Sequence, residues 1–181
     1  LLYATGLQYD VETLYNDGTR TRITYENMIS NFLYKMNPNV CGMAITFLPN
    51  YMGNDIDYAN DPKYSAANGQ FSYYIARSGN KKESRGFTSQ ELTEDYITKP
   101  LSTGKPYITP IYKYLLIGNK EELIFTWCVP IKNNGNTIGV ITIDILVTSI
   151  NSLVADIQPF EGAEASLFDS DGNILYDAQE T

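Results

Sequence analysis

Apolar and polar residues alternate along this chain with two different periods. Over residues 24–37, Tyr25, Ile29, Phe32, Leu33 and Met36 recur at helical spacing, which predicts an amphipathic helix. Thr24 is its expected cap, Glu26 lies in the first turn and Pro38 stops it. Residues 3–16 read as an earlier helical stretch, broken by "NDG" at 16–18. Strand-like runs follow at 40–48, 70–77 and 106–116, the last with Pro110 marking an edge or a bulge. Residues 49–69 and 78–90 read as polar loops, and 89–101 as a short helix capped by Ser89 and ended before Pro100. "ELIFTWCVPIK" (122–132) and "TIGVITIDILV" (137–147) form a hairpin about Asn134-Gly135, the strongest local signal in the sequence. A second amphipathic helix (148–160) and a hairpin (164–178) turning at Asp171-Gly172 complete the pattern. Five antiparallel strands with covering helices predict an α+β domain.

One residue disturbs this pattern. Asp144 stands among Ile141, Ile143, Ile145 and Leu146, and a carboxylate there is costly unless it is solvated, paired or used. A two-residue turn places Asn133 opposite Asn136, and therefore Asp144 opposite Phe125 and Thr142 opposite Trp127. Phe125, Trp127, Thr142 and Asp144 then share one face, suited to a small polar or cationic ligand. Ile124, Thr126, Cys128, Ile141, Ile143 and Ile145 share the other, expected to pack on the 24–37 helix. The other reading of Asp144 is a partner within its own chain, an Arg, a Lys or backbone N–H groups.

Composition narrows the chemistry. The formal charge of −8 opposes nucleic acid or an anionic membrane as partner. No apolar run approaches the roughly 18 residues that span a bilayer. The first residues carry neither a basic start nor a cleavage pattern, and the abrupt beginning reads as a piece of a longer protein. Histidine is absent, which removes Ser-His and Cys-His nucleophile pairs. Acid pairs of the glycosidase type arise by chance among 21 acidic residues and carry little weight. No enzyme, cofactor or metal is expected. Asp169, Asp171 and Glu180 mimic a calcium loop, but Ile174 occupies the place that requires glycine and Gly172 comes two places early. Cys41 and Cys128 lie in separate strands, where free buried thiols are more common than a disulfide.

Several segments in order carry a resemblance. "PNYMGND", "GQFSYYIARSG", "EDYITKPLSTGKPYITPIY", "EELIFTWCVPIKNNGN", "NTIGVITIDILVTSINSLVADI" and "ASLFDSDGNILYDA" together span most of residues 24–181. This set resembles the double Cache extracytoplasmic sensor domains of bacterial transmembrane receptors. The resemblance implies a PAS-like fold, with a long N-terminal helix on a five-stranded antiparallel sheet, then a C-terminal helix and hairpin. Residues 1–147 would be the membrane-distal module, and 148–181 the connection to a second module or its remnant. The domain would lie outside the cytoplasmic membrane, in the periplasm or at the cell surface, as part of a membrane-anchored chemoreceptor or sensor kinase. It would bind a small molecule, an amine, an organic acid or another small solute, and catalyse nothing, with room for a homodimer through the N-terminal helix. Asp144 would anchor a donor group, Tyr96, Trp127 and Tyr112 would line the pocket, and Arg77 would meet an anionic group. The family's amino-acid-binding motif has an Arg two residues before a Trp-Tyr pair; here Thr93, Asp95 and Tyr96 occupy those places. That departure points away from an α-amino acid and toward an amine or another small solute. A ligand-free module that only transmits is the alternative.

Overall fold

The computed structural model describes residues 2–18, 20–61, 63, 68–117, 120–155, 160, 163–168, 172 and 174–177. Two helices open the chain, α1 (Leu2–Asn16) and α2 (Arg22–Lys35). The cap of α2 is Thr21 rather than Thr24: the Thr24 backbone N–H donates to Thr21 Oγ1 at 3.2 Å. That choice adds a turn and brings Arg22 into the buried stripe with Tyr25, Ile29 and Leu33. Arg22 ties down the loop that follows the first strand. It donates to Gly69 O (2.9 Å) and Met52 O (3.3 Å) and pairs with Asp55 (3.2 Å).

The strands are β1 (Val40–Phe47), β2 (Ser72–Ser78) and β3 (Lys81–Arg85); after helix α3 (Asp95–Thr103) come β4 (Tyr107–Ile108), β5 (Tyr112–Leu116), β6 (Lys120–Asn133) and β7 (Asn136–Leu146). They form a seven-stranded sheet in the order β3-β2-β1-β7-β6-β4, with β5 also on β6. Every pairing is antiparallel. Two strands exceed the expected five. Pro110 splits the 106–116 run into β4 and β5, because it has no N–H for the ladder. The sequence "KKESR" of β3 hides its strand from hydrophobic pattern, since charge is how an exposed sheet edge is kept from pairing further. Helix α3 also runs past Pro100, whose ring is buried beside Ile97 three residues earlier, and it ends at Gly104 with φ 61°. Helix α4 (Thr148–Ala155) and a separate two-stranded sheet of β8 (Ser166–Phe168) and β9 (Ile174–Asp177) follow. Asp169, Asp171 and Glu180 lie outside the described residues.

Helices α1 and α2 cover one face of the sheet. Leu7, Val11 and Tyr15 of α1, with Tyr25, Ile29 and Leu33 of α2, close on Met43, Ile45, Phe47, Tyr73, Ile75, Ile141 and Ile143. Strand alternation sends the intervening residues to the opposite face.

The β6–β7 register differs from expectation by one residue. Asn134 and Gly135 both take positive φ (50° and 81°), as a two-residue turn requires, and Asn133 opposes Asn136. The ladder then shifts between Ile131 and Lys132, leaving Ile138 as an extra residue in β7. Its carbonyl accepts Leu48 N–H at 2.8 Å, and its side chain is buried with Ile131 in the helix-side core. Beyond this bulge Asp144 opposes Thr126, Thr142 opposes Cys128, and Trp127 opposes Ile143. Because strand side chains have period two, the single extra residue exchanges the faces of β6. Trp127 and Phe125 therefore sit across from the helix-facing Ile143 and Ile145, away from the acid.

Candidate functional site

On the face that α1 and α2 leave uncovered, the sheet and α3 enclose a cavity of about 540 Å³. Its floor is built from strand residues on the Asp144 side: Asp144 and Thr142 of β7, Thr126 of β6 and Tyr74 of β2. Phe87, Tyr96, Tyr107, Tyr112 and Tyr114 are the aromatic residues of its walls. The aromatic rings pack edge-on in pairs: Phe87 on Tyr96 (centroids 6.2 Å apart), Tyr112 on Tyr114 (6.3 Å) and Tyr74 on Tyr114 (6.4 Å). Such contacts fix the rings against one another, and two of the lining rings already carry a cation, Arg85 over Tyr74 (5.2 Å) and Lys99 over Tyr107 (4.5 Å).

Asp144 is the buried acid of this cavity, 6% exposed. Thr126 Oγ1 donates to Asp144 Oδ1 at 2.8 Å, and Tyr112 Oη lies 2.7 Å from the same Thr126 oxygen. Since Thr126 gives its proton to the acid, Tyr112 is the donor to Thr126, and a relay of two hydroxyls points at the carboxylate. Burial pushes the Asp144 carboxyl above its ordinary range, and the Thr126 hydrogen bond, the Tyr74 hydroxyl and the Arg85 charge only partly offset it. Tyr74 Oη lies close enough to favour the charge but outside hydrogen-bond geometry, and it is buried without a partner. Among the described residues Thr126 alone donates to this carboxylate in good geometry. The other oxygen, Oδ2, takes no hydrogen bond from the described residues and lies over Gly42, on the Tyr74 side.

Gly42 makes the arrangement possible. It opposes Asp144 across the β1–β7 ladder. A Cβ at this position would lie 2.5 Å from Asp144 Oδ2 and 2.6 Å from Tyr74 Oη. The acid and the phenol occupy the space that any larger residue would fill.

Two ion pairs shape the mouth. Arg85, at the end of β3, meets Glu91 through two hydrogen bonds of 2.8 and 2.6 Å. Burial pushes Glu91 up, but its bonds to Arg85 and Thr88 outweigh this and hold it below its ordinary value. Lys99 of α3 pairs with Asp95 at 2.9 Å and donates to Tyr107 Oη at 3.2 Å.

Of the five residues expected to bind ligand, the structure brings Asp144, Tyr96 and Tyr112 to this cavity. It places two elsewhere. Trp127 packs against the core on the opposite face of the sheet. Arg77 donates to Val40 O (2.7 Å), Met36 O (3.0 Å) and Asn37 O, which joins the end of α2 to the start of β1. The lining arginine is Arg85, which the sequence pattern assigns to a solvated loop. Tyr74 was also missed, although its neighbour Tyr73 marks a strand in which adjacent tyrosines must face opposite ways. Cys41 and Cys128 are free, with burial raising the Cys41 thiol to about 12 and the Cys128 thiol further. Strand β7 runs between the two strands that carry them.

Residues 25–152 match the family of methyl-accepting chemotaxis protein-like first PDC sensor domains. Comparison with curated protein sequences gives no match. Among solved structures, the fold is similar to the extracellular domain of histidine kinase mmHK1S-Z3 (TM-score 0.74, 21% identity), covering 93% of this chain and 60% of that one. It is similar to the periplasmic sensory domain of the Campylobacter jejuni chemoreceptor Tlp1 (TM-score 0.69, 14% identity), covering 99% of this chain and 65% of that one. It is similar also to the ligand-binding domain of the Campylobacter jejuni chemoreceptor Tlp3 in complex with L-valine (TM-score 0.68, 18% identity), covering 98% and 62%. The chain thus spans about three fifths of the length of these structures.

Proposed function

This chain belongs to the methyl-accepting chemotaxis protein-like first PDC sensor domains, and on that premise we propose that its cavity binds a small organic amine. The chain is a sensor domain of the kind found outside the membrane in chemoreceptors and histidine kinases, and that family senses rather than catalyses. The observation that carries the amine reading is Asp144: a buried carboxylate lining a tyrosine-walled cavity, hydrogen-bonded by Thr126 alone among the described residues. An ammonium group on Oδ2 would gain a charge-assisted hydrogen bond and the π faces around it. Tlp3 was solved with L-valine; a ligand carboxylate here would meet Glu91, Glu94 and Asp95 at the mouth.

We read residues 148–181 as the start of a second module, which the separate β8–β9 sheet supports. The parent protein is then a membrane-anchored receptor whose sensor lies in the periplasm or at the cell surface. No described helix is long and apolar enough to cross a membrane. Ligand would favour one arrangement of α3 against the sheet, a shift in populations rather than a chemical step.

A thermal-shift screen against amines, amino acids, organic acids and sugars tests the reading, because a ligand of the folded state raises the midpoint by mass action. The expected result is a hit among the amines that Asp144→Asn abolishes. An amine hit that survives in Asp144→Asn overturns the assignment. Silence across the library favours the ligand-free transmission module.

A further inference from the structure

The cavity contains a guanidinium, yet that guanidinium is already engaged. Arg85 lines the cavity, and its Nη1 and Nη2 both donate to Glu91. This two-point geometry is the one a ligand carboxylate would use. Glu91 is itself fixed at both ends. Its carboxylate accepts Thr88 N–H at 2.7 Å, while its own backbone N–H donates to Thr88 Oγ1 at 3.2 Å. This reciprocal capping pair sets the short turn Glu91–Thr93 and aims the carboxylate back at β3. The clamp is therefore built into the backbone rather than left to two flexible surface chains. It is also within reach of a ligand, since the Arg85 and Glu91 side chains are 42% and 23% exposed. The other lining cation, Lys99, is occupied by Asp95 and Tyr107.

We propose that Glu91 is a specificity-determining residue: by occupying Arg85 it stands where a ligand carboxylate would, and so restricts the cavity to amines that lack an acid group. This deepens the amine reading above and rests on it for the wild-type ligand. The clamp itself makes a separate claim, that a freed Arg85 would accept a carboxylate.

Three matched probes separate the two claims: phenethylamine, phenylalanine, and 3-phenylpropanoate, which carry the amine, both groups, and the acid alone. Their affinities are measured by calorimetric titration for wild type, Glu91→Gln, and Glu91→Gln combined with Arg85→Gln. Gln keeps an oxygen for Thr88 N–H, and melting curves verify the fold. Wild type is expected to bind phenethylamine and to bind the two acids at least about tenfold more weakly. Glu91→Gln should gain about tenfold or more for phenylalanine and 3-phenylpropanoate, and the Arg85→Gln addition should remove that gain. A folded Glu91→Gln protein with no gain overturns the proposal. So does a gain that persists without Arg85, which would be only a loss of negative charge. Absence of phenethylamine binding in wild type defeats the amine reading alone, because 3-phenylpropanoate still reads the clamp. If Glu91→Gln does not fold, Glu91→Asp, which keeps the charge but shortens its reach, is judged by the same outcomes.

Discussion

The two faces of one sheet are built from the same strands by alternate residues, and they differ in almost every respect. Toward α1 and α2, β1 presents Met43 and Ile45, β2 presents Tyr73 and Ile75, and β7 presents Ile141 and Ile143. Toward the cavity the same strands present Gly42 and Ala44, Tyr74 and Ala76, and Thr142 and Asp144. The helix side is filled by large apolar side chains. The cavity side combines small residues, which leave volume, with hydroxyls and one acid, which give that volume polarity. A close-packed core and an open polar cavity are thereby separated by a single strand's thickness.

Substitutions can break this contrast, and they rank by expected size. The largest effect belongs to the closed face. Ile29→Ala removes a fully buried side chain of α2 and should cost about 2–5 kcal/mol, read as a fall in denaturation midpoint with unaltered ligand affinity in the folded fraction. Next is Gly42→Ala, whose Cβ would collide with Asp144 Oδ2 and Tyr74 Oη. Overpacking of this kind costs about 1–3 kcal/mol, and amine binding should be lost even where the fold survives. Titration of both variants under native conditions separates them: the first loses stability alone, the second loses both.

Asp144→Asn should invert the pattern. Amine affinity falls about 10- to 100-fold, the range for a hydrogen bond to a charged group, while stability at neutral pH holds or rises. The sign follows from the raised carboxyl value, which burial causes. The unfolded chain ionises at lower pH than the folded one, so the acid's contribution to stability is complete below its ordinary range. That contribution is lost as pH rises through the raised value. Glu91 runs the other way, contributing above its ordinary range and losing that contribution as pH falls through its depressed value. Urea melts from pH 4 to 8 should show a gap between Asp144→Asn and wild type that widens with pH; a constant gap contradicts the assignment. Amine binding should weaken as pH drops and Asp144 becomes neutral. The smallest effect is expected from Tyr112→Phe, which removes the outer donor of the relay to Asp144. It should cost about 0.5–1.5 kcal/mol and leave amine binding measurable.

Much of this was legible in residue order. The 3.6-residue stripe of α2 and the Asn-Gly turn announced the helix and the central hairpin, and a lone acid in an apolar strand marked the floor of the cavity. The pairing of β6 was not legible, because hydrophobic alternation reads equally well in either register. Only the bulge at Ile138, whose carbonyl is taken by Leu48, decides between them. Trp127 was misplaced for that reason alone. Arg85 was missed because charge conceals an edge strand, and Arg77 misled because a guanidinium serves backbone carbonyls as readily as ligands. The Arg77 contacts join segments distant in sequence, which local pattern does not encode, whereas Arg85 sits in a local hairpin whose charged residues carry no apolar alternation.

One joint has a mechanical meaning. Strand β7 ends at Leu146 and α4 begins at Thr148, so Val147 alone separates them. That residue is buried, and its N–H is held by Leu123 O at 2.9 Å. There is no loop to act as a spring between the acid and the helix. A tug on Asp144 along its strand would arrive at the first turn of α4 almost undiminished, as through a rod rather than a rope.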